Sequence, residues 1–266
     1  MSDHPIDRQW AHLRQGRRTA LIPYLTAGYP SVDASLAALE MLPDCGADFV
    51  EVGIPFSDPL ADGPVIQASS QVALEQGMTV GGTLELIDRA RLTIPVIVFG
   101  YLNPILAFGL ERFLGEAAGA GVSGLLLTDL PSGEDPEVER TIRESPLNLI
   151  SLVAPTTGEQ RVSDIARMAQ GFIYVISRLG VTGAFTEIGA ALGHTVERVR
   201  DASRLPVAIG FGISNGTQAR QAAELGDGVV VGSALVRRLG EGIPSARELM
   251  NELRRSLDAA HVASRN

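Results

Sequence analysis

The sequence contains no lysine; all 22 basic residues are arginine. That absence excludes a Schiff-base aldolase, a lysine-bound pyridoxal phosphate and a P-loop lysine, each of which needs a primary amine on the chain. A single cysteine, Cys45, rules out an internal disulfide, and its apolar setting at a predicted helix end reads as a buried, inert thiol. The four histidines, His4, His12, His194 and His261, lie near the termini or in predicted helices at no metal-ligand spacing, so neither metal nor cofactor is expected. There is no run of 18 apolar residues, and residues 1–5 carry no signal-peptide core. A cytoplasmic protein without membrane contact is expected. The formal net charge of −9 comes without any block of like charge, which leaves no footprint for nucleic acid.

What is present is a regular alternation. Short aliphatic runs at 20–25, 48–53, 95–99, 124–128, 149–153, 172–176, 206–209 and 228–231 read as strands. Helical patterns follow most of them: 31–41 capped by Ser31, 65–75 and 83–91 broken by Gly77 and Gly81-Gly82, 104–120, 159–169, and 245–260 as a closing helix. Eight strands alternating with helices predict an α/β fold, a single (β/α)8 TIM barrel over residues 1–266. Ile6, Trp10 and Leu13 predict an extra N-terminal helix over 6–15 that plugs one end. Active sites in such barrels lie at the carboxyl ends of the strands, so every strand-end motif falls on one rim.

The densest motif is the stretch Glu51-Val-Gly-Ile-Pro-Phe-Ser-Asp-Pro-Leu-Ala-Asp-Gly63. Alternation along the second strand points Glu51 with Phe49 and away from Val50 and Val52. A carboxylate there must be paired, solvated by a cleft, or left with a raised pKa, and the last two suit a general acid/base. The plainer readings are an ion pair for Glu51, an Asp-Pro turn for Asp58, and a polar lead-in to the helix that Pro64 opens for Asp62. On the opposite side of the rim, glycine turns follow the sixth, seventh and eighth strands: Gly180 to Gly183, Gly210-Phe211-Gly212 and Gly232-Ser233. Such turns, with a short helix after the eighth strand, suit phosphate binding by main-chain N–H groups. Tyr24, Phe99, Tyr101, Leu126, Tyr174 and Phe211 leave an apolar pocket between the two ends. The inferred ligand is aromatic at one end and phosphorylated at the other.

These motifs carry a specific resemblance. The Glu51–Gly63 run, Ser177-Arg-Leu-Gly-Val-Thr-Gly183, Gly210-Phe-Gly-Ile-Ser214 and Gly232-Ser-Ala234 resemble, in order, the signatures of the tryptophan synthase alpha chain family. The resemblance implies cleavage of indole-3-glycerol phosphate to indole and glyceraldehyde 3-phosphate, with a pyridoxal-phosphate beta chain as partner in an alpha2beta2 heterotetramer. A free-standing lyase that releases indole would share every catalytic residue, and a non-catalytic activator of the beta chain would need only the rim loops. By position, Glu51 is implied as the acid/base and Asp62 as the carboxylate that stabilises charge on the indole N–H. Substrate contacts are implied for Tyr24, Phe99, Tyr101, Leu126, Tyr174, Thr182, Gly183, Phe211, Gly212, Gly232 and Ser233. Residues 177–188 are implied as a lid, and Pro55, Phe56, Ser57, Asp58, Pro59, Asn103 and Pro104 as the face toward the beta chain. The chain departs from the family pattern at Leu179, Thr128 and Phe99-Gly100.

Overall fold

All strands among the described residues run parallel in one sheet. The computed structural model describes residues 3–176, 185–210 and 212–263. Its strands are β1 (Ala20–Thr26), β2 (Val50–Gly53), β3 (Val96–Gly100), β4 (Val122–Leu127), β5 (Asn148–Leu149), β6 (Ser151–Val153), β7 (Ile173–Ile176), β8 (Val207–Gly210) and β9 (Gly228–Val231). They are ordered β5-β4-β3-β2-β1-β9-β8-β7-β6. Only Ile150 separates β5 from β6. The first pairs with β4 and the second with β7, and Ile150 N–H donates to Leu125 O at 2.9 Å. The expected fifth strand is therefore one stave split between its two neighbours, and it completes an eight-stave barrel.

The two-residue period of the strands sorts their side chains. Ile22, Phe49, Ile97, Phe172, Ala208 and Val230 turn inward, whereas Leu21, Val50, Val52, Val98, Leu125 and Val229 pack under the helices. The helix Pro5–Gly16 closes the amino end as expected, with the Trp10 ring 4.9 Å from that of Phe49 and 5.6 Å from that of Phe172. On the outside, the closing helix Ile243–Ala263 is pinned by a buried charge cluster. Asp48 accepts from Leu21 N–H at 2.9 Å and pairs with Arg18 at 2.9 Å and Arg254 at 3.2 Å. Arg254 also pairs with Asp258 at 2.6 Å, so each buried charge keeps a second partner if one is lost.

Several helices differ from their expected limits. The helix Val80–Ala90 already includes Gly81 and Gly82, which do not break it, because the Thr79 hydroxyl caps its first turn by accepting from Gly82 N–H at 3.0 Å. The stretch expected over 104–120 is two helices, Leu102–Phe108 and Leu110–Gly119, meeting at Gly109. An additional helix, Pro136–Glu144, opens with Asp135 accepting from Val138 N–H at 3.1 Å. Cys45 is buried, as expected. No helix among the described residues is long and apolar enough to cross a membrane.

Candidate active site

Strand β2 delivers Glu51 to the carboxyl rim on the inward face, in line with Phe49. Its side chain is 1% exposed, and Oε1 has no hydrogen-bond partner among the described residues. No ion pair offsets the burial, so desolvation alone pushes the carboxyl from 4.5 up to about 8. The alternative of a structural ion pair therefore finds no support among the described residues. Tyr24, the register partner of Glu51 in β1, lies beside it. A Cβ on Gly53 would stand 2.7 Å from Tyr24 Cζ, and one on Gly210 would stand 2.6 Å from Tyr174 Cε1. Glycine at these two strand ends lets each tyrosine ring lie across the rim and keep water from Glu51.

Asp62 reaches the same cavity from the loop that leaves β2. It is half-buried, and desolvation raises its carboxyl from 3.8 to about 6, while the Tyr101 hydroxyl in hydrogen-bonding reach pulls it part of the way back. That hydroxyl also accepts from Ala61 N–H at 2.9 Å, so Tyr101 fixes the loop at the residue before Asp62. Gln67 adds a hydrogen bond to Asp62 O at 2.9 Å. The helix Pro64–Glu75 starts immediately afterwards with no side-chain cap, so Asp62 does not serve as one.

The far end of the cavity is built from turns after β8 and β9. Gly212 adopts φ +80°, and Gly232 leads into the helix Ser233–Glu241, whose start likewise has no side-chain cap. The first N–H groups of a helix have no intrahelical acceptor, so this uncapped start can serve an anionic ligand. The cavity volume is about 330 Å³. Glu51 and Asp62 line one part, Tyr24, Phe99 and Tyr174 the walls, and Gly212, Gly232 and Ser233 the remainder. Phe99 meets Tyr24 edge-on at 5.3 Å. Two departures from the family pattern touch each other: Thr128 donates to Gly100 O from its N–H at 3.1 Å and from its hydroxyl at 3.3 Å.

Other expected site residues lie elsewhere. Leu126 is fully buried in the barrel interior and is not among the lining residues, and Tyr101 acts on the loop rather than on the wall. Thr182, Gly183, Phe211 and lid residues 177–184 are outside the described residues. Ile66, Val230 and Arg237 line the cavity without having been expected there from the sequence, as does Ser214, quoted only as the end of a motif. Of the residues expected at a partner face, Pro55 is buried, Phe56, Pro59 and Pro104 are half-buried, and Ser57, Asp58 and Asn103 are exposed. The Phe56 and Tyr101 rings lie 5.1 Å apart, which joins this surface to the residue holding the Asp62 loop. A second cavity of about 350 Å³, bordered by Trp10, Arg17 and Arg200, opens at the opposite end, where loops of this fold serve stability, and Arg200 there pairs with Asp227 at 3.5 Å.

Comparison with known proteins gives this geometry a family. The family model "Tryptophan synthase alpha chain" matches residues 10–264. The chain is 46% identical over 230 residues to the tryptophan synthase alpha chain of Geobacter sulfurreducens, covering 86% of this chain and 87% of that one. It is 44% identical over 243 residues to that of Picosynechococcus sp., covering 90% and 92%. Among solved structures, tryptophan synthase subunit alpha from Legionella pneumophila superposes with a TM-score of 0.89 at 34% identity, over 97% of this chain and all of that one. The chain therefore belongs to the tryptophan synthase alpha chain family.

Proposed function

We infer that this chain, working as one barrel domain, is the alpha subunit of a tryptophan synthase and cleaves indole-3-glycerol phosphate to indole and glyceraldehyde 3-phosphate. The observation that carries the reading is the pair of carboxyls on one cavity with separated titrations, about 8 for Glu51 and about 6 for Asp62. Near pH 7 the first is mostly protonated and the second mostly ionised, the arrangement an acid and an electrostatic stabiliser need. Glu51 protonates the ring carbon that bears the glycerol side chain. The resulting cation is stabilised by Asp62 at the indole N–H. The Glu51 carboxylate then takes the proton of the side-chain hydroxyl, the carbon–carbon bond breaks, and its electron pair returns to the ring. Protonated indole is its own electron sink, so a chain without lysine can perform this cleavage.

Tyr24, Phe99 and Tyr174 supply an apolar slot for the ring, with Leu126 packed in the interior cluster that holds Phe99 and Tyr174, and Tyr101 holding the loop that carries Asp62. Phosphate falls to the main-chain N–H groups at Gly212, Gly232 and Ser233, where the uncapped helix start also favours an anion. Gly183, Thr182 and Phe211 join them by position in the family motifs. The indole passes to a beta chain that condenses it with serine, in an alpha2beta2 assembly in the cytoplasm. Residues Pro55 to Pro59, with Asn103 and Pro104, form the face toward that partner. The test is indole release from indole-3-glycerol phosphate by the purified chain, with and without a beta chain. Release that rises on adding the partner is expected; no release in either condition would refute the reading.

A further inference from the structure

The phosphate end of the cavity holds one feature that main-chain N–H groups do not account for. Arg237 lines the cavity together with Gly232, Ser233 and Ala234, and it is the only cation among the described residues that do so. It sits four positions after Ser233 in the helix Ser233–Glu241, hence on the same face one turn further on. Side chains of a helix lean toward its N-terminus, so the long Arg237 stem extends back over Ser233 and toward the free N–H groups. Among the described residues Arg237 makes no ion pair and no hydrogen bond. Its neighbour Arg238 is occupied, at 3.2 Å from Glu241 and 3.1 Å from the Ser245 hydroxyl. The charges lining the cavity are therefore divided: two carboxyls, Glu51 and Asp62, and one uncommitted guanidinium next to the helix start.

We propose that Arg237 is a specificity-determining residue that closes over the substrate phosphate, adding a full positive charge to the partial charges of the helix start and selecting for a dianionic group. This rests on the phosphate reading above and goes beyond it, since a backbone cradle alone accepts an anion without requiring a side-chain cation. A helix start contributes the equivalent of about half a charge, screened by solvent at this open end. The guanidinium fork matches phosphate oxygens in two directions. Binding of the phosphate is the same in the ground and transition states, so Arg237 acts on KM and leaves kcat alone. The same guanidinium disfavours a substrate turned end for end, because the phosphate would then face Glu51 and Asp62.

The test compares wild type, Arg237→Gln and Arg237→Lys in steady-state cleavage of indole-3-glycerol phosphate, with inorganic phosphate as competitive inhibitor. For Arg237→Gln the KM for substrate and the inhibition constant for phosphate both rise about five- to ten-fold, the scale of one charged contact at a partly exposed site, with kcat within two-fold. Arg237→Lys retains most of the affinity. Raising salt weakens wild type more than Arg237→Gln, because the screened contact is already gone. Unchanged KM and inhibition constant in Arg237→Gln would overturn the assignment while leaving the phosphate cradle intact. Equal losses of kcat in both variants would mark Arg237 as structural and overturn it too. If phosphate failed to compete even with wild type, the phosphate reading would fall, and this inference with it.

Discussion

Replacing Glu51 by Gln separates chemistry from stability, because the two respond in opposite directions. Gln has the shape of the protonated carboxyl but cannot give up a proton, so turnover should fall by at least about 10²-fold with substrate binding largely kept. The stability effect follows from burial. The Glu51 carboxyl titrates at about 8 in the folded chain against 4.5 for an ordinary glutamate. Between those values the folded protein holds one more proton than the unfolded chain, so wild-type stability falls as pH rises through this window. At about 1.4 kcal/mol per pH unit, the wild type has lost about 3 kcal/mol by pH 7 and more by pH 8. Gln does not titrate, and its cost is a buried amide whose N–H groups lack partners, about 1–3 kcal/mol at every pH. The variant should therefore be less stable than wild type at pH 5 and at least as stable at pH 8. Urea unfolding at pH 5, 6.5 and 8, alongside initial rates of indole formation, reads both effects. A stability difference that does not change with pH, or activity within a few-fold of wild type, would refute the burial argument or the acid/base role respectively.

Gly232→Val puts a side chain at the proposed phosphate site, yet a Cβ there meets only Tyr24 at an ordinary 3.8 Å, so KM should rise strongly in steady-state assays while circular dichroism stays unchanged. The corresponding change at Gly212 would also strain a backbone at φ +80° and would not separate the two effects. Ser233→Ala would remove one of the several hydrogen bonds proposed to the phosphate and should cost about 0.5–1.5 kcal/mol in substrate affinity, measured as KM. Asp58→Ala, on an exposed part of the loop that leads to Asp62, should leave the isolated chain's activity nearly unchanged and lower its stimulation in a beta-chain titration. Equal stimulation of mutant and wild type would remove Asp58 from the coupling.

The barrel was legible because its strands are nearly uninterrupted aliphatic runs, and Glu51 stood out as a charge on one of them. The plug helix was legible for the same reason: Ile6, Trp10 and Leu13 recur at helical spacing and all three are buried. Local sequence misled where a cap outweighs propensity, as Thr79 does for Gly81 and Gly82. The helix Pro136–Glu144 had a usable signal in Asp135-Pro136, an N-cap followed by proline at the first position, within a polar stretch that otherwise reads as loop. Contacts made across the barrel left no such trace. Nothing near Tyr101 in sequence indicates that its hydroxyl holds Ala61, and nothing about Arg237 marks it as the one of two adjacent arginines that faces the cavity. Leu126 is not among the residues lining the cavity, because the inward face of a barrel strand runs through several layers and strand position alone does not say which layer borders it.

The proposed roles need Glu51 protonated and Asp62 ionised at the same time, and the pH dependence of kcat/KM for indole-3-glycerol phosphate reads both conditions in one profile. Activity should rise through an acid limb near pH 6 as Asp62 ionises, and fall through a basic limb near pH 8 as Glu51 loses its proton. Asp62→Asn should abolish the acid limb along with most of the rate. A profile that is flat between pH 5 and 9, or an acid limb that persists unchanged in Asp62→Asn, would contradict the assignment of the two carboxyls.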